Sequence, residues 1–210
     1  MNDLIVQVNE LQVKAVYDLL ADIKGGAKNA LIKSLNATLD YSVELTQKSI
    51  GEATTLDAKL IKTQVTKEAA TDATVATMRL FGGRVPLVYF RTAPMVIGYR
   101  LGIKGHGVKV QVFRNKPAVE FRHAFFARMP SGHEGLFERN IKKSKASTGR
   151  DEQGRLRKNR LPIDEMKGPS PATIYKKTPG MSQTIELLSA DRLLLEMGQQ
   201  TDKLLRLTHG

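Results

Sequence analysis

Between Arg139 and Arg160 the chain places Arg139, Lys142, Lys143, Lys145, Arg150, Arg155, Arg157, Lys158 and Arg160 against only Asp151 and Glu152. Nine positive charges against two negative leave +7 of the +12 carried by all 210 residues. Guanidinium and ammonium groups at this density attract phosphates and carboxylates without reading sequence. Such a block is too polar to order itself by burial, so it reads as a mobile loop, flexed at Gly149 and Gly154. It stops at the apolar, proline-bounded Leu161-Pro162-Ile163, a turn expected to anchor the loop's far end on a structured body. The bland reading of a charge run is a solvated loop that aids solubility. The length and single sign of this one favour contact with DNA or an acidic partner, through Lys142, Lys143, Lys145, Arg150, Arg155, Arg157, Lys158 and Arg160.

Other chemistry is thin. His123, His133 and Glu134 offer two imidazoles and a carboxylate, but ten residues separate the histidines and no fourth ligand follows, so no metal site is assigned. Gly102, Gly105 and Gly107 sit between expected strands with no helix N-terminus after them, so they read as a hairpin turn and not as a phosphate loop. No Walker loop, dinucleotide fingerprint, metalloprotease helix or nucleophile elbow occurs, and no enzymatic activity or cofactor is expected. The absence of cysteine removes disulfides and thiolate chemistry together. Aromatic residues make up only 6%, few for a base-stacking surface. No run of about 18 apolar residues suggests a membrane span, and the first ten residues lack a signal-peptide pattern, so action in the compartment of synthesis is expected.

The elements that must carry the basic loop can be read from periodicity. Leu4 to Val8 suits a short strand, and Glu10 to Ile23 suits a helix ended by Gly25-Gly26. Ala27 to Ile50 is a second helix whose narrow face runs through Ala30, Leu31, Leu35, Thr38, Ser42, Leu45 and Ser49. Thr54 with Asp57 resembles a capping box before a short helix bearing Lys59, Lys62 and Lys67 outward. From Thr74 the period approaches two, and strands are expected at 74–81, 85–90, 96–103, 107–113 and 119–127. Gly168-Pro169-Ser170-Pro171 is expected to exclude regular structure. Thr184 to Thr208 reads as a helix roughly 35–40 Å long, with a seam of Leu187, Ala190, Leu194, Met197, Thr201, Leu204 and Thr208. Burial of Leu194 and Leu204 is expected, and Leu187, Leu194, Met197 and Leu204 are assigned to packing or a subunit interface.

Several phrases occur in a fixed order along this frame. They are "AKNALIKSLNATLDYSVELTQKSI" leading to "TTLDAKLIKTQVTKEAA", then "RVPLVYF", then "GVKVQVF" with "HAFFARMPSGHEGLFER", and finally "RLPIDEMKGPSPA". The chain thereby resembles the minor tail protein Z family, the tail completion proteins of long-tailed bacteriophages. The phrases span Ala27 to Ala172, leaving residues 1–26 and the C-terminal helix outside them. The resemblance implies a structural virion protein at the head-proximal end, or neck, of the tail, assembled in the bacterial host cytoplasm. It implies a closed ring, a hexamer by analogy with phage tails, that joins tail to head. Its partners would be further copies of itself, the tail terminator protein, neck and head-tail connector proteins, and genomic DNA in the channel, with no membrane. The competing reading is a free nucleic-acid-binding protein without sequence preference.

The expected class is α+β: N-terminal helices packed on a small antiparallel sheet or barrel, a long basic loop and a C-terminal helix. One compact domain overall is expected, comprising residues 1–70 (helical), 71–138 (β), 139–180 (basic loop and Pro/Gly-rich segment) and 181–210 (C-terminal helix).

Overall fold

The computed structural model describes residues 2–7, 18, 26–71, 75–93, 107–139 and 163–208. The class is α+β, with four α-helices and small antiparallel sheets among the described residues. None of these sheets closes into a barrel. The expected helix at 10–23, apart from helical Asp18, and the expected strand at 96–103 lie outside the described residues. The chain forms two compact units, one from residues 1–83 and 169–210, the other from residues 84–168.

In the first unit, α1 (Gly26–Ala53) packs along α4 (Met181–Thr208). On α1 the buried residues Ala30, Ser34, Thr38, Ser42, Thr46 and Ile50 recur at every fourth position. On α4, Met181, Ile185, Ser189, Leu193, Met197 and Thr201 do the same. Rows at this spacing form the ridges by which helices interdigitate, and the small side chains on α1 let the backbones come close. Ser42 and Ser189 meet there at 2.7 Å, and the Ser42 hydroxyl also lies 2.8 Å from the Thr38 carbonyl. The expected α1 face drifted through Leu45 and Ser49, which are only half-buried. Each step of four residues advances about 40° around a helix of 3.6 residues per turn, so the buried row winds away from Leu45 and Ser49 and follows Thr46 and Ile50 instead.

Thr54 does not open the next helix. Its hydroxyl donates to the Ile50 carbonyl at 2.7 Å and helps finish α1. Asp57 caps α2 (Ala58–Gln64), accepting from the Lys59 and Leu60 amides at 2.7 and 3.3 Å. Strands β1 (Asn2–Gln7), β2 (Val65–Glu68) and β3 (Val75–Leu80) form an antiparallel sheet in the order β1-β3-β2. Strict alternation turns Ala76, Met78 and Leu80 inward, and α1 packs on β2 and β3. Asn36 on α1 pins the chain leaving β2, donating to the Ala70 carbonyl at 3.2 Å and accepting from its amide at 2.8 Å.

Pro169 and Pro171 do not exclude regular structure. Ser170 accepts the Thr173 amide at 3.1 Å as N-cap, and Pro171 opens α3 (Pro171–Lys177), where a missing amide costs nothing. Tyr175 of α3 is buried, and its hydroxyl has no hydrogen-bond partner among the described residues. Burial first, and then the negative charge of Glu186, push its phenol up to about 12. The folded value stands above the ordinary one of about 10. Its contribution to stability is therefore complete below pH 10 and lost as pH rises through 12. An absorbance titration is expected to show a tyrosine phase near pH 12 that is lost in Tyr175→Phe. Ionisation of Tyr175 near pH 10 would contradict this.

The second unit holds β4 (Val85–Pro86), β5 (Arg91–Ala93), β6 (Val108–Gln111), β7 (Val119–Phe121), β8 (Ala124–Arg128), β9 (Glu134–Arg139), β10 (Ile163–Glu165) and β11 (Lys167–Gly168). They pair as β10-β9-β8, β11-β4 and β5-β6-β7. The expected strand at 85–90 is cut short by a 3-10 turn at Leu87–Tyr89, and that at 119–127 is split by a turn at Arg122 and His123. Val85, Leu87, Phe90, Val110, Phe126, Leu136 and Phe137 form the buried interior. Met166 stitches two of the layers: its amide donates to the Leu136 carbonyl at 2.8 Å, and its carbonyl accepts the Leu87 amide at 2.9 Å.

Candidate polyanion interface

Dividing the charges between the two units separates them completely. Residues 84–168 carry nineteen Lys and Arg against seven Asp and Glu, a net +12. Residues 1–83 with 169–210 carry fourteen of each sign and are neutral. The whole excess charge of the protein therefore belongs to the β unit. Seven of the twelve come from 139–160 and five from the rest of that unit.

The expected contact residues Lys142, Lys143, Lys145, Arg150, Arg155, Arg157, Lys158 and Arg160 lie outside the described residues. The described strands do place the ends of their segment. Arg139 ends β9 and Ile163 begins β10, and the two are registered directly opposite each other. Residues 140–162 thus leave and re-enter at one position of an antiparallel pair. The expected anchor at Leu161-Pro162-Ile163 is described only at Ile163, which is exposed and held by strand pairing instead of by apolar burial. Arg139 itself is exposed, with its guanidinium carbon 5.7 Å from the centroid of the Phe125 ring. Phe125 and Phe137 face each other across β8 and β9 with centroids 6.4 Å apart, a firm base for the departing chain.

Two ion pairs stand elsewhere on this base. Arg128 forms an ion pair with Glu134, its Nε lying 2.6 Å from Oε1. His133 meets the Glu165 carboxylate at 2.6 Å, and its ring stands edge-on to Phe137. Glu134 and His133 thus have different partners, and no group of three His, Asp or Glu that could hold a metal ion is found among the described residues. In the neutral unit, Lys67 pairs with Asp40, and Lys59 and Lys62 are exposed on α2.

The α4 residues assigned to packing divide. Met197 is buried, and Leu204 packs partly buried against Ala27 and Ala30. Leu187 and Leu194 are 64% and 48% exposed, so the expected burial of Leu194 within the chain does not occur. The seam is rotated because the fourth-residue row through Ile185, Ser189 and Leu193 faces α1, turning Leu187, Leu194 and Leu195 outward. Sequence reading missed the exposed cations Arg84, Arg91, Lys109, Arg114, Lys116, Arg122 and Lys167 of the β unit. They are scattered singly among strands and turns. Charge counted by folded unit, not by run, is the signal that finds them.

Among the described residues no helix is long and apolar enough to cross a membrane. No curated protein and no solved structure matches the chain significantly. A family model described as prophage minor tail protein Z (GPZ) matches residues 13–209. The match runs past the phrases at 27–172 in both directions and takes in all of α4. Covering nearly the whole chain, it shows that the protein belongs to the prophage minor tail protein Z family and is a structural component of a phage tail.

Proposed function

We propose that the protein completes the tail at its head-proximal end, closing into a ring, six-fold by analogy with phage tails, around the DNA path and joining tail to head. It acts as a neck component of the virion, assembled in the host cytoplasm, and its role is structural, not catalytic. Its partners are other copies of itself, the tail terminator protein and the neck connector proteins. The observation that carries this reading is the division of charge: the β unit holds the full +12 and the helical unit is neutral. A protein lining a DNA path needs diffuse cationic attraction that ignores sequence and remains weak enough per contact to let the duplex slide. A neutral helical unit is free of that attraction, and its exposed Leu187, Leu194 and Leu195 offer an apolar surface for subunit contact.

The deciding experiment is the native mass of the purified protein, alone and mixed with the tail terminator protein of the same phage. A ring, formed alone or on mixing, is expected. Replacing Leu187, Leu194 and Leu195 together by Ser is expected to leave the subunit folded and abolish the ring. A monomer indifferent to the terminator but shifted by duplex DNA would replace this reading with that of a free nucleic-acid-binding protein.

A further inference from the structure

We propose that the β5-β6-β7 sheet carries a second, preformed contact for the phosphate backbone of duplex DNA, separate from residues 140–162. The proposal rests on the reading that this protein lines a DNA path.

On β6, Val108 and Val110 are buried, and Lys109 between them is exposed. Period-two alternation places Gln111 on the same side as Lys109. Residues directly opposite in a ladder share a face, so Arg91, registered with Gln111, and Glu120, registered with Lys109, join them. Arg122 lies two residues beyond Glu120. The Val108 to Phe121 register puts it opposite Gly107, where a Cβ would lie 2.6 Å from the Arg122 Cα. Glycine alone admits that approach. Arg91 on β5 and Lys109 on β6 are consequently diagonal neighbours, and Arg122 follows in the turn just past the end of β7, in steps of roughly 7–8 Å. One strand of B-DNA presents a charge every ~3.4 Å of axis, and because the backbone also winds around that axis its successive phosphates lie about 7 Å apart through space, so such steps suit neighbouring phosphates.

The row continues into the hairpin tip, which is braced. The Gln111 side-chain amide donates to the carbonyls of Arg114 and Lys116 at 3.3 and 3.0 Å. The Lys116 amide donates to the Phe113 carbonyl at 3.2 Å, and the Lys116 ammonium sits 5.2 Å from the centroid of the Phe113 ring. Arg91, Lys109, Arg114, Lys116 and Arg122 are all exposed, with Glu120 as the one acid on these strands. The Lys116 ammonium lies over one face of Phe113, which disfavours stacking of a flipped base there. The occupant that fits is the backbone of a duplex. These cations stand on a paired ladder and a hydrogen-bonded turn, so binding orders little that is not already ordered.

The test uses the full chain and a labelled 30-base-pair duplex of arbitrary sequence, with affinity measured by anisotropy between about 50 and 200 mM salt. Lys109→Gln, Lys116→Gln and Arg122→Gln are combined, and a thermal melt matching wild type establishes that the fold is kept. The slope of log affinity against log salt is expected to become shallower by about 2.7 units, three contacts at ~0.9 each, whatever the duplex sequence. Glu120→Gln, which removes an acid, is expected to tighten binding a few-fold. An unchanged slope in the triple variant, with Glu120→Gln also silent, would overturn the inference. So would a triple variant that binds duplex normally and has lost only the tail terminator protein, since the sheet would then recognise an acidic protein. In both cases ring formation in the mass experiment leaves the neck reading standing. Loss of slope in a protein that forms no ring, alone or with the terminator, would uphold the sheet contact and sink the neck reading.

Discussion

Leu35→Asp is expected to prevent the helical unit from folding, whereas Leu187→Asp is expected to change its stability by no more than about 0.5 kcal/mol. Leu35 is fully buried on α1, as are Leu31 and Leu39 one turn to either side, in a helix that packs on β3, while Leu187 is 64% exposed on α4. Truncation of such a leucine to Ala costs about 2–5 kcal/mol through lost transfer energy and the cavity left behind. A carboxylate at the same place adds an unpaired charge in an apolar site, which costs several kcal/mol more or forces protonation. Set against a total stability of about 5–15 kcal/mol, the sum is comparable with the whole. Urea unfolding followed by far-UV circular dichroism measures the contrast, with Leu35→Ala as a variant that still folds. A cooperative transition in Leu35→Asp within about 1 kcal/mol of wild type would show that the α1 core is wrongly placed. A large loss in Leu187→Asp would mean that this face of α4 is covered within the subunit.

The second large effect is electrostatic. Replacing Lys142, Lys143, Lys145, Arg150, Arg155, Arg157, Lys158 and Arg160 by Gln is expected to leave the thermal melt unchanged while removing most salt-dependent duplex binding. Stability is spared because Arg139 and Ile163 close the base of this segment by strand pairing. If each of the eight residues neutralises one phosphate, the log–log slope falls by up to about 7 units. A protein making about 6–10 such contacts loses roughly 10³–10⁵ in affinity between 50 and 200 mM salt, so the variant should keep only the much shallower dependence left by the cations of the β5-β6-β7 sheet. The check is the anisotropy titration at four or five salt concentrations. Wild-type binding with an unaltered slope in the eightfold variant would show that residues 140–162 do not meet DNA and would turn attention to an acidic protein neighbour.

The two variants probe features of different legibility. Leu31, Leu35, Met197 and the strand at 75–80 were readable because apolar spacing depends on chain geometry alone, at 3.6 residues per helical turn and two per strand. The side of α4 that would be buried was not readable. Leu187, Leu194 and Leu195 are as apolar as Leu193, and only the row of small residues on α1 selects Ser189 and Leu193 for the contact. The Ser170-Pro171 pair misled for a related reason, since proline breaks a helix interior yet suits its first position.

Charge follows the same division. The sequence by itself determined that a basic block stands between two structured stretches, that the class is α+β, and that the phrases from Ala27 to Ala172 resemble a phage tail family, because composition, periodicity and local wording are properties of the chain in order. Only the tertiary structure decided that residues 1–83 join 169–210 in a neutral unit while 84–168 hold all twelve excess charges, and that Arg91 and Lys109 share one sheet face with Arg122 in the turn at its edge. Those neighbours are as many as 31 residues apart. What brings them together is strand register and the burial of apolar side chains on the opposite face, and both depend on partners distant in the chain.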